Sequence, residues 1–403
     1  MRSPTAWQAA AYTGANLATN ALAVVSTAMI TRNLTTTEYS TYSFALSLVM
    51  FVALFFEFGL FLPAARLAAV ARGSESREIV GSALLLYLPV GLAFSAFIFG
   101  LSFWIEGWFH IEAGHALRVV APLGLAFPFT FVLLQLSQGL DRLHVSSFTG
   151  VLAQLLVVAL LAVWLVAGEG LSVSRTLVLR AVAFLIAGVA GALWLRPVYG
   201  AVRQRALELV HQAREWGFQL FIGRVLSVGT YNMDVLMLGF WAPRSVGFYV
   251  LAGSLATASG LPVFGLGSAL FGRMARAPLI ERRWLLISTA VGIVCALGVW
   301  LIAEPLIRIL FSARYVDAAA LVLPLALAQL VRGVTTVFNT FLSAHAHGSA
   351  LRNAGIVLTA SNIAFNFALI PPFGAQGAAW ASFLALVANF FAHVVFYRRS
   401  YSF

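Results

Sequence analysis

Four ionisable side chains stand deep inside long apolar runs of this sequence: Glu57, Arg224, Asp234 and Arg332. On insertion scales an Arg at the centre of a bilayer costs about 2.5–3.5 kcal/mol, so a charge kept there points to a role. Guanidinium chemistry suggests which one, because its planar fork of donors matches the oxygens of a phosphate or diphosphate. Counted at 1.5 Å per residue, Glu57, Arg224 and Arg332 lie at one level, roughly 12–17 Å from one surface. Glu57 is expected to pair with one of the two Arg, leaving a net positive site for an anionic head group. Asp234 falls about 15 Å further along its own run. With Glu57 it is a candidate for holding a coupling cation, H⁺ or Na⁺.

Uncharged polar residues fall in register with these groups. At 100° per residue, Thr13, Asn16, Asn20, Thr27 and Thr31 share an arc of about 60°. Arg224, Ser227, Tyr231 and Asp234 share about 80°, as do Gln329, Arg332, Thr336, Asn339 and Ser343. Asn362 and Asn366 stand one turn apart. Stripes this narrow are out of place against lipid and read as the wall of a hydrated lumen. Asn16, Asn20, Tyr231 and Asn339 are therefore taken, with Arg224 and Arg332, as substrate-binding residues. The alternative, that they only hydrogen-bond neighbouring helices, stays open at this point.

Other chemistries find no site. The sequence has no H-E-x-x-H and no Gly-rich loop before a Lys. His345 and His347 lack an apparent third ligand, so no metal is expected, and no cofactor. Glu106, His110, Glu112 and His115 lie in a short segment at about 105–116 and read as solvated loop groups.

Composition dictates the elements that must hold the charged groups. Of the 403 residues, 61% are hydrophobic and 10% charged, against about 45–50% and 25% in a soluble domain. That excludes a soluble enzyme, a nucleic-acid binder and a disordered chain. The net charge of +11 is carried entirely by Arg, and Cys295 is the single cysteine, so no intrachain disulfide forms. Apolar runs bounded by Arg, Gly and Pro fall at 10–32, 40–67, 81–104, 117–140, 145–167, 174–196, 216–241, 246–274, 284–310, 318–343, 351–371 and 376–397. The expected fold is all-α integral membrane, with twelve transmembrane helices in two six-helix bundles around a central cavity. The first run, interrupted by Thr13, Asn16 and Asn20, reads as a retained helix.

The longest interruption, 197–215, separates a bundle at 1–196 from one at 216–403. Val202, Ala206, Leu209, Ala213 and Trp216 recur there at helical spacing, which reads as a cytoplasmic amphipathic linker, either lying on the inner leaflet or serving as a plain connector. Sliding the chain by 207 positions sets Tyr42 on Tyr249, Ala45 on Ala252 and Arg66 on Arg273, a weak internal repeat. With both termini on one side, sixteen Arg fall in the segments of that side and seven on the other. The excess places both termini in the cytoplasm.

Three blocks carry a resemblance. The segment from Arg32 to Tyr42, RNLTTTEYSTY, resembles the R-x-L-(x)-E-Y-G-x-Y signature of polysaccharide flippases, with Ser40 where Gly is usual. Asp234 to Gly239 followed by Ser245-Val-Gly-Phe-Tyr249 is similar to their seventh-to-eighth junction. Asn362 to Ala379 resembles their eleventh-to-twelfth junction and is the most specific block. The family is the polysaccharide transport group, including the O-antigen flippases, of the multidrug/oligosaccharidyl-lipid/polysaccharide exporter superfamily. The resemblance implies alternating access and export of an undecaprenyl-diphosphate-linked oligosaccharide across a bacterial inner membrane, for surface polysaccharide. The implied partners are that polyprenyl diphosphate, membrane lipid, a coupling cation and other polysaccharide-assembly proteins, with no nucleic acid. Two alternatives compete: an ion-coupled multidrug antiporter of the same superfamily, and a membrane glycan polymerase or ligase. The first favours carboxylates in the leading bundle, where Glu57 is the one deep acid. The second needs a long outer loop that this chain lacks.

Overall fold

The computed structural model describes the backbone of residues 4–400 apart from positions 72, 275 and 346; side chains at 4–13, 216, 219–220, 222–228, 231, 267–269 and 271–273 lie outside the description. Fifteen α-helices follow one another: α1 Pro4–Asn33, α2 Thr36–Phe55, α3 Phe61–Val70, α4 Ser74–Leu101, α5 Ile105–Phe109, α6 Gly114–Val120, α7 Ala126–Gly139, α8 Leu143–Val166, α9 Val173–Trp194, α10 Val202–Gln212, α11 Phe218–Trp241, α12 Val246–Met274, α13 Arg282–Leu310, α14 Ala319–Ala344 and α15 Gly348–Ser400. They form two compact units, Met1–Val225 and Leu226–Phe403.

Among the described residues eight helical segments are long and apolar enough to cross a membrane, and the pair α6 and α7, bent by 48°, makes a ninth if it is one span. Three further segments of the expected twelve stand outside that set. Helix α1 is long enough but diluted by Asn and Thr, and α11 carries Arg224 and Asp234. The third is hidden inside α15, whose 53 residues would run to about 80 Å, far more than a bilayer needs. Gly374 breaks it, with φ 54 and ψ −131, a conformation that a side chain disfavours. Three residues on, a Cβ at Gly377 would strike the Leu369 carbonyl. The Pro371-Pro372-Phe-Gly374-Ala-Gln-Gly377 block thus folds α15 back into two arms.

Local chemistry fixes other boundaries. Thr35 and Glu38 form a capping box at the start of α2: the Glu38 amide donates to Thr35 Oγ1 at 3.2 Å, and the Thr35 amide donates to Glu38 Oε2 at 2.8 Å. The second expected run, 40–67, is not one helix. It breaks over residues 56–60 between α2 and α3, where Phe58 and Gly59 take positive φ.

In the first unit, Phe61, Ala64 and Ala68 of α3 pack with Ile79, Val80, Ala83 and Tyr87 of α4 and with Phe129, Val132, Leu133 and Leu136 of α7. Leu209 of α10 belongs to the same core. Leu209, in the middle of the linker's apolar stripe, is therefore covered by protein. Arg205 fastens the linker further to Glu75 of α4 at 2.6 Å, and pairs within α10 with Glu208 at 2.9 Å. In the second unit α14 is central and packs on α12, α13 and both arms of α15. Leu88, Leu92, Val163, Val294 and Leu301 stay exposed, as expected of chains that face hydrocarbon.

Candidate functional site

Helix α14 presents Arg332 on its polar stripe. Its guanidinium lies over the Phe264 ring at 5.0 Å, a cation–π contact worth about 0.5–2 kcal/mol. Arg332 lines a cavity of about 370 Å³ with Thr335, Thr336 and Asn339 from α14 and with Asn389 and His393 from the second arm of α15. Asn339 is thus brought to Arg332, as the stripe predicts. Asn389 and His393 were missed, although they stand one turn apart in the last apolar run, at the spacing of Asn362 and Asn366. Asn389 donates to the Ala354 carbonyl at 2.8 Å, and His393 Nδ1 lies 2.9 Å from the Asn389 carbonyl.

A second polar centre lies elsewhere in this unit. Asp234 is buried in α11 and accepts four hydrogen bonds: from Tyr249 Oη at 2.7 Å, Ser382 Oγ at 2.5 Å, Asn362 Nδ2 at 3.0 Å and Asn366 Nδ2 at 2.6 Å. Burying a carboxylate is tolerable only with partners of this kind. The Asn366 Oδ1 is buried and finds no hydrogen-bond partner among the described residues. The two amides turn their nitrogens to the carboxylate and the two hydroxyls their hydrogens, so four donors converge on one buried acidic group. Asn362 and Asn366 were visible as a one-turn pair. Tyr249 and Ser382 were not linked to Asp234 by spacing.

In the first unit a cavity of about 500 Å³ is lined by Asn16, Thr19, Thr130, Ser146, Ser147 and Gln154. Its hydroxyls donate to their own helices: Thr19 to Ala15 at 2.9 Å, Thr130 to Phe127 at 2.8 Å, Ser146 and Ser147 to Leu143 at 2.9 and 3.0 Å. What they leave to the cavity is acceptor lone pairs. Asn20 donates to the Asn16 carbonyl and is exposed. Glu57 sits in the break between α2 and α3, buried, and accepts from Gln135 Nε2 of α7 at 2.7 Å. Gln135 is a partner that sequence spacing did not offer. The side chains of Arg224 and Tyr231 lie outside the described residues.

These features define a multi-pass, all-helical membrane protein with buried polar centres in both units. Its fold is that of flippases and transporters. The lipid II flippase MurJ in an inward closed conformation superposes with a TM-score of 0.78 at 14% identity, over 97% of this chain and 87% of that one. An inward-facing multidrug resistance MATE family transporter of the MOP superfamily gives 0.74 at 14%, over 95% and 94%. A MOP superfamily transporter from Pyrococcus furiosus gives 0.66 at 13%, over 98% and 93%. No curated protein sequence matches significantly. The profile of the family described as polysaccharide biosynthesis protein matches residues 7–278. The chain belongs to that family.

Proposed function

We propose that this protein is a flippase that moves an undecaprenyl-diphosphate-linked oligosaccharide across the bacterial inner membrane by alternating access, for surface polysaccharide biosynthesis. One observation carries the reading: Arg332, deep in α14, lines a polar cavity with Asn339 rather than facing lipid. A diphosphate is the anion that its fork fits. Arg224 is assigned to the same head group on sequence grounds, and Tyr231 beside it. The sugars fall to the uncharged cavity near Asn16, with Asn20 on the same helix, whose acceptor-rich wall suits hydroxyl donors.

Coupling falls to Asp234, where H⁺ or Na⁺ would neutralise the buried carboxylate, and to Glu57. Both termini and the 197–215 segment face the cytoplasm in this reading. The multidrug antiporter reading draws on Glu57, a buried acid in the first unit suited to a cationic drug. The test is complementation of a strain lacking its glycan flippase. Surface glycan should return with the wild-type chain and fail with Arg332→Ala at equal membrane abundance. Efflux of a cationic dye without restored glycan would favour the antiporter and reject the flippase.

A further inference from the structure

His393 is buried to 4% exposure and borders the Arg332 cavity. Its Nδ1 lies 2.9 Å from the Asn389 carbonyl. A carbonyl only accepts, so Nδ1 carries the hydrogen and the tautomer is fixed. Nε2 is then a bare lone pair in the neutral ring. It is buried and has no hydrogen-bond partner among the described residues. An unsatisfied ring nitrogen inside a protein is costly, and the function proposed above does not use it.

The surroundings decide what Nε2 can do. From α14 the charged neighbour at the cavity is Arg332; the first arm of α15 brings Leu351, Gly355 and Leu358, and Arg352 on that arm is exposed. On its own arm Tyr397 follows one turn on, its hydroxyl accepting from the Ile280 amide at 3.1 Å and its ring against Phe338 and Phe341. His345 stacks on Phe341. Helix α12 adds Leu270 and Met274 to that cluster, and before α13 Glu281 pairs with Arg283. Among the described residues the cavity therefore carries one fixed cation and no carboxylate. Arg332 disfavours a second positive charge on the ring while the cavity holds no anion. An oxyanion on Arg332 reverses that balance.

We propose that this cavity is a phosphate-oxyanion site whose occupancy is coupled to protonation of His393 at Nε2. The anion is held by Arg332 with Asn339 and Asn389 at the wall, and the proton arrives on Nε2 and leaves from it as the anion binds and departs. Linkage makes the two events reciprocal: the proton strengthens anion binding by the factor by which the anion strengthens proton binding. The proposal rests on the head-group role given to Arg332 above, but it names only the phosphate chemistry, which a lipid-linked diphosphate and a free inorganic phosphate share.

The experiment is calorimetric titration of the purified full chain in detergent with inorganic pyrophosphate and, separately, with geranyl diphosphate. Each is run in buffers of differing ionisation enthalpy, which reports protons taken up. Wild type should take up close to one proton more per site than His393→Asn, near the titration of the free ring. The ligand's own protonation cancels in that difference. The Asn amide can keep the donation to the Asn389 carbonyl, so binding should survive in the variant while its extra proton uptake vanishes. Arg332→Ala should abolish binding. A measurement on wild type alone stands beside these. Relative to the ligand's own titration, affinity should weaken up to about tenfold per pH unit above the ring's titration. Equal proton uptake by wild type and His393→Asn overturns the proposal, as does pyrophosphate binding that ignores Arg332→Ala, or no binding of either ligand. Binding of pyrophosphate with proton uptake, but not of geranyl diphosphate, would uphold this site and count instead against the lipid-linked substrate.

Discussion

Charged residues in an apolar setting were the most legible part of this sequence, because their cost advertises them. Arg332 and Asp234 both sit at built polar centres. Their partners were less legible. Tyr249 and Ser382 come from distant parts of the chain and give no periodic signal, whereas Asn389 and His393 stand one turn apart and form a readable pair. Gln135, which donates to Glu57 across a break that hydropathy cannot register, gave no signal in the sequence either. Two predictions belong at this scale. Asp234→Asn keeps the shape but removes the charge that four donors converge on. Transport in vesicles should fall at least tenfold and lose its dependence on the driving ion, while the protein still inserts. Glu57→Gln keeps an acceptor for Gln135, so stability should change by under about 1 kcal/mol, whereas transport should fall. Full rate and unchanged ion dependence in Glu57→Gln would remove it from the coupling role.

Among the elements, the motif blocks turn out to be folding devices as well as family marks. Glu38 of the first block closes the capping box of α2. The third block turns α15 at Gly374, and without that turn the two arms could not both pack on α14. Gly374→Ala puts a side chain at φ 54 and should cost about 1–3 kcal/mol, read as a lower thermal midpoint in detergent. Thr35→Ala loses the cap and should cost about 1 kcal/mol by the same measurement. Helix α10 shows where sequence reading fell short. Its amphipathic pattern is real, but periodicity cannot say whether lipid or protein covers the apolar stripe. Here α3 and α4 take Leu209.

For the whole molecule, the all-helical membrane class followed from composition alone, since so few charges cannot coat a soluble surface of this size. Counting spans was harder. Polar stripes lower the hydropathy of α1 and α11, the very helices that carry candidate site residues, and the α15 turn is too tight to interrupt the apolar run. Orientation is a separate question that Arg asymmetry addresses. Reporter fusions after residues 75, 205 and 398 should read cytoplasm, and one near 112 periplasm. A periplasmic signal at 205 would overturn the assignment of six spans before the linker.

The central claim is that Arg224 and Arg332 carry a lipid-linked diphosphate through the membrane. Its most direct measurement is the rate at which a fluorescent polyprenyl-diphosphate-linked oligosaccharide crosses proteoliposomes that contain only this protein. Hydrogen bonds to a charged group contribute about 1.5–3 kcal/mol, so Arg332→Ala should slow crossing about ten- to hundredfold. Arg332→Lys, which keeps the charge but loses the fork, should fall between that variant and wild type. Crossing at the wild-type rate by the Arg224→Ala, Arg332→Ala double variant, at equal reconstituted amounts, would contradict the account.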